Sequence, residues 1–314
     1  MKHELIKKKY DIEIIIPCYN EEEFLSEAVN SVIRAREKSS LKIAILISDN
    51  CSRDKSMSIA QNFMSTFNDV RVIEHKKNIG ARANWINALK TVNARYFMFL
   101  DAHDFLSEGY FLEVENLLAT NNLQDIILMP NEYMVFQDSE TPTSRYPYQY
   151  KFHKNPKIRF WQLLFYLGHA TEIHSIFPFN KIDLNLIASS KAYSFDQLVL
   201  FIFCLKYSSI YLESAYFRRY KTVVSGNFSY VNSHGESESR FERVSGDSEE
   251  QVSDHFLIEE IIYSSSLNIN GLNKRLVRFL LRGKYMSKVL GYFCYRVGRK
   301  LFGLFDIYRG IKKL

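Results

Sequence analysis

Two carboxylates and an imidazole, Asp101, His103 and Asp104, follow directly on the apolar run Tyr96-Phe97-Met98-Phe99-Leu100. A run without alternation is what a parallel strand buried on both faces requires. Oxygen and nitrogen ligands gathered at the carboxyl end of such a strand suit a divalent cation and the phosphate it neutralises, because open α/β sheets bind ligands at that end. The same residues also fit a polar turn capping the next helix. What stands at the other strand ends weighs between the two.

Asp11-Ile12-Glu13-Ile14-Ile15-Ile16 predicts a first strand, closed by Pro17. The loop Pro17–Glu23 gathers acids where a following helix dipole favours them. Phe24, Leu25, Ala28, Val29, Val32 and Ile33 then fall on one helical stripe. Ile43–Ser48 predicts a second strand leading into Asp49-Asn50-Cys51-Ser52-Arg53-Asp54, and Ile59, Ala60, Phe63, Met64 and Phe67 have helical spacing. Val70–Glu74 is the third strand, and Asn78-Ile79-Gly80 opens a helix running to about Val92. The order β-α-β-α-β-α-β predicts a right-handed, mostly parallel sheet with helices on both faces over roughly the first 120 residues. Ile126–Pro130 is expected to continue that sheet.

A dinucleotide would need G-x-G-x-x-G after the first strand, and that turn has no glycine; a Walker A loop is absent as well. Polar groups sit instead at the ends of several strands: Tyr19, Asp49, Asn78, Arg82, Asp101 and His103. That distribution suits a nucleoside lying across the strand ends with a metal at its phosphates. Plainer readings stand beside it, with Tyr19 as a core aromatic and Asp49 as a helix-capping turn residue.

The quoted motifs, Ile16-Pro17-Cys18-Tyr19-Asn20-Glu21, Asp49–Asp54, Asn78-Ile79-Gly80-Ala81-Arg82-Ala83-Asn84 and Leu100–Asp104, resemble in order the signatures of family-2 glycosyltransferases, over roughly residues 10–225. The resemblance implies the GT-A fold, a mostly parallel Rossmann-like sheet, and an inverting transfer from a nucleotide sugar. It implies nucleotide contacts from Pro17, Tyr19, Glu21, Asp49, Asn78, Arg82, Asp101 and Ala102. Asp101 and His103 take the D-x-D positions that hold the cation, Mn²⁺ or Mg²⁺. A neutral imidazole in place of the second acid suits Mn²⁺ better than Mg²⁺. Ser194-Phe195-Asp196-Gln197 is similar to the family's E-D motif, which makes Asp196 the catalytic base; Asp196 equally fits an N-cap. Glu172 and His174, in a polar patch before Ile176-Phe177, are expected at the acceptor.

The net charge of +6 is concentrated, with twelve Lys or Arg in residues 272–314 against Asp306 alone. Leucines and phenylalanines interleave those charges, which predicts a helix lying in an anionic membrane interface rather than on nucleic acid. Packing of the same helix on the acidic body is the plainer alternative. The expected organisation is a catalytic GT-A domain at 1–230, a flexible Ser/Glu/Asp/Gly-rich linker at 231–255 and a helical, basic, amphipathic tail at 256–314. The four cysteines form no C-x-x-C pair, so a zinc site or disulfide framework is not indicated, and a reducing setting fits. With no apolar leader at the start and no apolar run of spanning length, the expected location is cytoplasmic and peripheral, on the inner face of the cell membrane. The expected partners are a UDP-sugar donor and a glycan acceptor carried on a polyprenyl lipid, in cell-surface polysaccharide assembly. A sugar-nucleotide pyrophosphorylase lacks support because the first loop has no glycine. A non-catalytic membrane-bound scaffold is the rival favoured by His103 and Phe195, which stand where the family motifs have an acid, and by Tyr220, which stands at the histidine of a segment (Phe217-Arg218-Arg219-Tyr220) resembling the family's Y-R-x-H.

Overall fold

Isoleucines at 12, 14, 15 and 16 are all fully buried, and their alternation explains how the chain layers. Ile12, Ile14 and Ile16 share one core with Leu25, Ala28, Val29 and Val32 of the first helix. Ile15, on the opposite side of the same strand, is buried too, so both faces of the strand are covered. The computed structural model describes residues 8–120, 126–136, 144–145, 171–182, 184–189, 199–200, 202–203 and 207–220, with 153, 155 and 158 besides. All lie within the first of the chain's two units, Met1–Gln251.

The first sheet has the order β3-β2-β1-β4-β8, built from β1 (Tyr10–Cys18), β2 (Ile43–Asp49), β3 (Val70–Glu74), β4 (Ala94–Phe99) and β8 (Phe177–Pro178). Its first four strands are parallel, and β8 runs antiparallel along β4. The helices α1 (Leu25–Arg36), α2 (Ser56–Thr66) and α3 (Ala81–Lys90) make the crossovers, and α4 (Tyr110–Thr120) follows β4. This mixed α/β architecture with a mostly parallel sheet is the GT-A fold expected from the motifs.

The stretch from Ile126 departs from expectation. It forms β6 (Ile126–Phe136), which belongs to a second sheet of order β5-β9-β6-β7, with β5 (Phe105–Leu106), β7 (Ser144–Arg145) and β9 (Ser208–Tyr220). An isolated bridge from Leu128 to Ile176 links its neighbourhood to the first sheet. The β6–β9 register shifts between Met129 and Asn131, at Pro130, whose missing N–H suits a break in the ladder. The linker at 231–255 and the basic tail at 256–314 lie outside the described residues. Among the described residues no helix is long and apolar enough to cross a membrane.

A charged pair is built into the sheet at Glu13. Glu13 on β1 is fully buried, with Arg71 Nη2 2.6 Å from its Oε1 and the Asn93 backbone N–H donating to its Oε2 at 2.7 Å. Removing one member of such a pair strands a buried charge, which costs about 3–5 kcal/mol. Arg71 is partly exposed, so Arg71→Ala is expected to sit near the low end, about 3 kcal/mol, as a lowered midpoint in urea denaturation. An unchanged midpoint would mean that Glu13 is not held as an ion there.

Candidate functional site

The strands β1, β2 and β3 step outward in one direction, and β4 then returns to the other side of β1. Strand order therefore reverses between β1 and β4, which opens a crevice at their carboxyl ends. The two loops beside it are stitched together. Asn20, in the left-handed region at φ 55°, donates its backbone N–H to Ser52 Oγ, and its side-chain oxygen accepts from the Arg53 N–H at 2.8 Å. The Glu21 N–H reaches Ser56 Oγ at 2.8 Å, and Glu22 and Asp54 exchange bonds with Lys55 and Glu22 backbone N–H groups. Asp49 Oδ2 accepts from the Ser52 N–H at 3.0 Å, a turn that accommodates Cys51 at φ 64°. Because so many bonds fix this double loop, the residues facing the crevice are held in place before any ligand arrives.

The start of α3 is fixed in the same way. Gly80 at φ 82° precedes the helix, a conformation open to glycine at little cost. Asn78 Oδ1 accepts from both the Gly80 N–H and Asn50 Nδ2, while Asn50 Oδ1 accepts from the Ile79 N–H. One turn on, Asn84 is buried and pairs reciprocally with Ser48 at the end of β2. The motifs at 49–54 and 78–84 are thus hydrogen-bonded to each other, which is a structural reason for their asparagines.

Between these loops lies a pocket of about 210 Å³. Pro17, Cys18, Tyr19 and Glu21 border it from the β1 side, Asp101, Ala102 and His103 from the β4 side, and Asn50 with Ala81, Asn84 and Trp85 closes the rest. Six of the sequence-predicted residues therefore come together here: Pro17, Tyr19, Glu21, Asp101, Ala102 and His103. Asp49, Asn78 and Arg82 are not among its lining; the first two serve the turns just described, and Arg82 stands half-buried in the first turn of α3. Asn50, Asn84 and Trp85 line the pocket although motif reading had not singled them out. Their signal was present: Ala81, Asn84 and Trp85 are spaced to share one helical face. Glu172 falls in the 3₁₀ turn Thr171–His174, and Asp196 lies outside the described residues.

His103 differs from its expected state. Burial disfavours its charge, but Glu21, with Oε1 3.3 Å from Nδ1, and the carboxylates of Asp104 and Asp101 outweigh that and push its pKa up to about 9. The ring is therefore an imidazolium at neutral pH without metal, not the neutral ligand read from the sequence. The carboxylates around it also group differently. Asp101, Asp104 and His174 each bring a ligand atom within 4.8 Å of the others. His174 Nδ1 lies 3.1 Å from the Phe99 carbonyl, which only accepts, so Nδ1 carries the hydrogen and Nε2 faces Asp101 Oδ2 at 3.7 Å. Metal-binding histidines are oriented by such a bond on the far nitrogen. Asp104 Oδ2 in turn accepts from Tyr216 Oη at 2.8 Å, and the Tyr216 ring stacks on His174 at 4.6 Å. Two carboxylates and one imidazole fit Mn²⁺, and Mg²⁺ less well. His174, expected at the acceptor, is fully buried and presents no surface to one. The Tyr216 ring stacked on it and the Asp101 and Asp104 carboxylates beside it occupy its surroundings instead.

The family model described as glycosyl transferase family 2 matches residues 13–174. The chain is 34% identical over 122 residues to the minor teichoic acid biosynthesis protein GgaB of Bacillus subtilis strain 168, covering 38% of this chain and 13% of that protein. It is 30% identical over 119 residues to a poly(ribitol-phosphate) beta-glucosyltransferase of Bacillus spizizenii, covering 37% of this chain and 18% of that one. The chain thus spans less than a fifth of the length of either relative. Among solved structures, TarS 1–349 of Staphylococcus aureus in complex with UDP-GlcNAc superposes with a TM-score of 0.56 at 15% identity, over 94% of this chain and 77% of that one. At that identity the likeness is one of fold.

Proposed function

Because this chain belongs to glycosyl transferase family 2, we propose that it moves a hexosyl or N-acetylhexosaminyl group from a UDP-sugar to a glycan acceptor, with inversion, in cell-surface polysaccharide assembly. The observation that carries this reading is the pocket at the reversal point, where Tyr19 and Glu21 from one strand end meet Asp101 and His103 from another. The nucleoside lies across these ends, and the His103 imidazolium faces the diphosphate. Asp101, Asp104 and His174 would hold a divalent cation, which when bound would supply charge neutralisation for the departing phosphate. Asp196 is the base: it takes the proton of the acceptor hydroxyl while that oxygen bonds to the anomeric carbon and the bond to the diphosphate breaks in line. Glu172 remains the candidate for acceptor contact.

The similarity to a teichoic acid biosynthesis protein and to a poly(ribitol-phosphate) glucosyltransferase supports a cell-surface polymer as the destination. The UDP-GlcNAc complex of a similarly folded protein supports uridine as the nucleotide. The basic tail supports docking on an anionic membrane surface and hence a polyprenyl-linked acceptor.

A thermal-shift titration of the full chain with UDP, GDP and CDP, each with Mn²⁺ and with chelator, tests the reading. Ligand at a hundred times its dissociation constant adds about 2.7 kcal/mol to apparent stability. UDP with Mn²⁺ is expected to give the largest rise. No shift with any nucleotide defeats the reading.

A further inference from the structure

We propose that Trp85 is a specificity-determining residue that sizes the nucleobase, admitting a pyrimidine and turning away a purine; the assignment rests on the nucleotide-sugar reading above. Trp85 borders the same pocket as Tyr19 and Asp101, so a nucleoside lying across these strand ends meets its indole.

What distinguishes Trp85 from an ordinary lining residue is how firmly it is backed. Its ring stacks on Phe99 with centroids 4.4 Å apart and planes 25° from parallel. Phe99 is fully buried and meets the edge of Phe97 at 5.7 Å, and Phe97 stacks on Phe177 at 5.4 Å. Behind the indole there is thus a column of rings that cannot yield without opening the core, since interiors are close-packed. The helix that carries Trp85 is itself pinned one residue earlier, where Asn84 pairs with Ser48. The wall is fixed from below and from the side.

A rigid aromatic wall has two consequences. Every base has a π-face, so stacking on the indole adds affinity without choosing among bases. Choice comes from the fixed wall, because the crevice has to seat the base beside ribose against Trp85, and a bicyclic purine reaches further than a pyrimidine. A flexible side chain here would move aside for the larger ring. Trp85, stacked on Phe99, does not.

The chain has two tryptophans, Trp85 and Trp161, so Trp161→Phe leaves Trp85 as the sole indole reporter. In that variant, titration with UDP or CDP is expected to quench the fluorescence saturably, with GDP and ADP binding at least about tenfold more weakly. By calorimetry, Trp85→Ala is expected to lose about tenfold or more in UDP affinity, the usual loss for a deleted stacking partner, and to narrow the preference for UDP over GDP. Trp85→Phe, which keeps a ring on Phe99, retains folding and most of the UDP affinity. Binding of UDP without any change in Trp85 fluorescence, or an unaltered preference for UDP over GDP in Trp85→Ala, overturns the assignment alone. Failure of the wild type to bind any nucleoside diphosphate overturns it together with the reading on which it rests.

Discussion

Asp196→Asn is expected to lower sugar transfer by about 10²- to 10⁴-fold, the usual contribution of a positioned base, while leaving UDP binding intact. The substitution is chosen because it separates two roles that the sequence leaves side by side. As an N-cap, asparagine is about as good as aspartate, so a purely structural Asp196 predicts near-normal folding and near-normal activity. As a base, the carboxylate has no substitute in the amide, and an acceptor hydroxyl must then attack without losing its proton. Hydrolysis of UDP-sugars, with water as the acceptor, gives a readout before the natural acceptor is identified. Retained hydrolysis alongside normal UDP binding would sink the assignment and move attention to the scaffold reading. Loss of hydrolysis together with loss of UDP binding would instead mean that the variant had damaged the fold.

Much of the first sheet was legible because its signals are local. The run from Ile12 to Ile16 is buried on both faces, and no other simple environment suits so many adjacent isoleucines. Val70–Glu74 was read at its observed limits. Ile126–Pro130 was also recognisable as strand, but its sheet was not. Pairing with β9, some eighty residues on, is a property of the folded chain and leaves no mark in a short apolar run. The site divides along the same line. Asp101 and Tyr19 announce themselves through motifs that follow strands. His174, expected at the acceptor, carries no sign of a place beside Asp101 and Asp104, since its link to Phe99 spans 75 positions. Asn78 shows the converse: its motif is real, yet its side chain holds a loop and a helix start and is not among the pocket lining, while Asn50 and Asn84 of the same motifs are. Spacing identified that these residues matter together, and hydrogen bonding shows how.

His103 carries the second large effect, a pH dependence opposite in sense to that of a paired carboxylate. The groups facing its ring are Glu21, Asp104 and Asp101, all acidic. They raise its pKa from the ordinary 6.5 to about 9 in the folded chain. The folded state therefore holds the proton more tightly than the unfolded state. The resulting stabilisation is complete below pH 6.5, falls away as pH rises, and is gone above about 9. The gap amounts to roughly 3 kcal/mol at 1.36 kcal/mol per pH unit. The ring is mostly buried, with 15% of its side-chain surface exposed, so solvent screening takes little from this figure. Urea denaturation in chelator, comparing wild type with His103→Gln, isolates the contribution, because other titrating groups are common to both. The difference in unfolding free energy is expected to be largest near pH 6 and to shrink toward pH 9.5. A difference that stays flat across that range would mean that His103 does not hold its proton between Glu21 and Asp104. The same proton bears on what replaces the usual acid of the D-x-D pair: a carboxylate there attracts a cation, whereas His103 in the apo chain already supplies a positive charge. His103→Asp tests this directly, since it is expected to destabilise the apo chain near pH 6 by removing that charge from among three carboxylates, and to strengthen Mn²⁺ binding for the same reason.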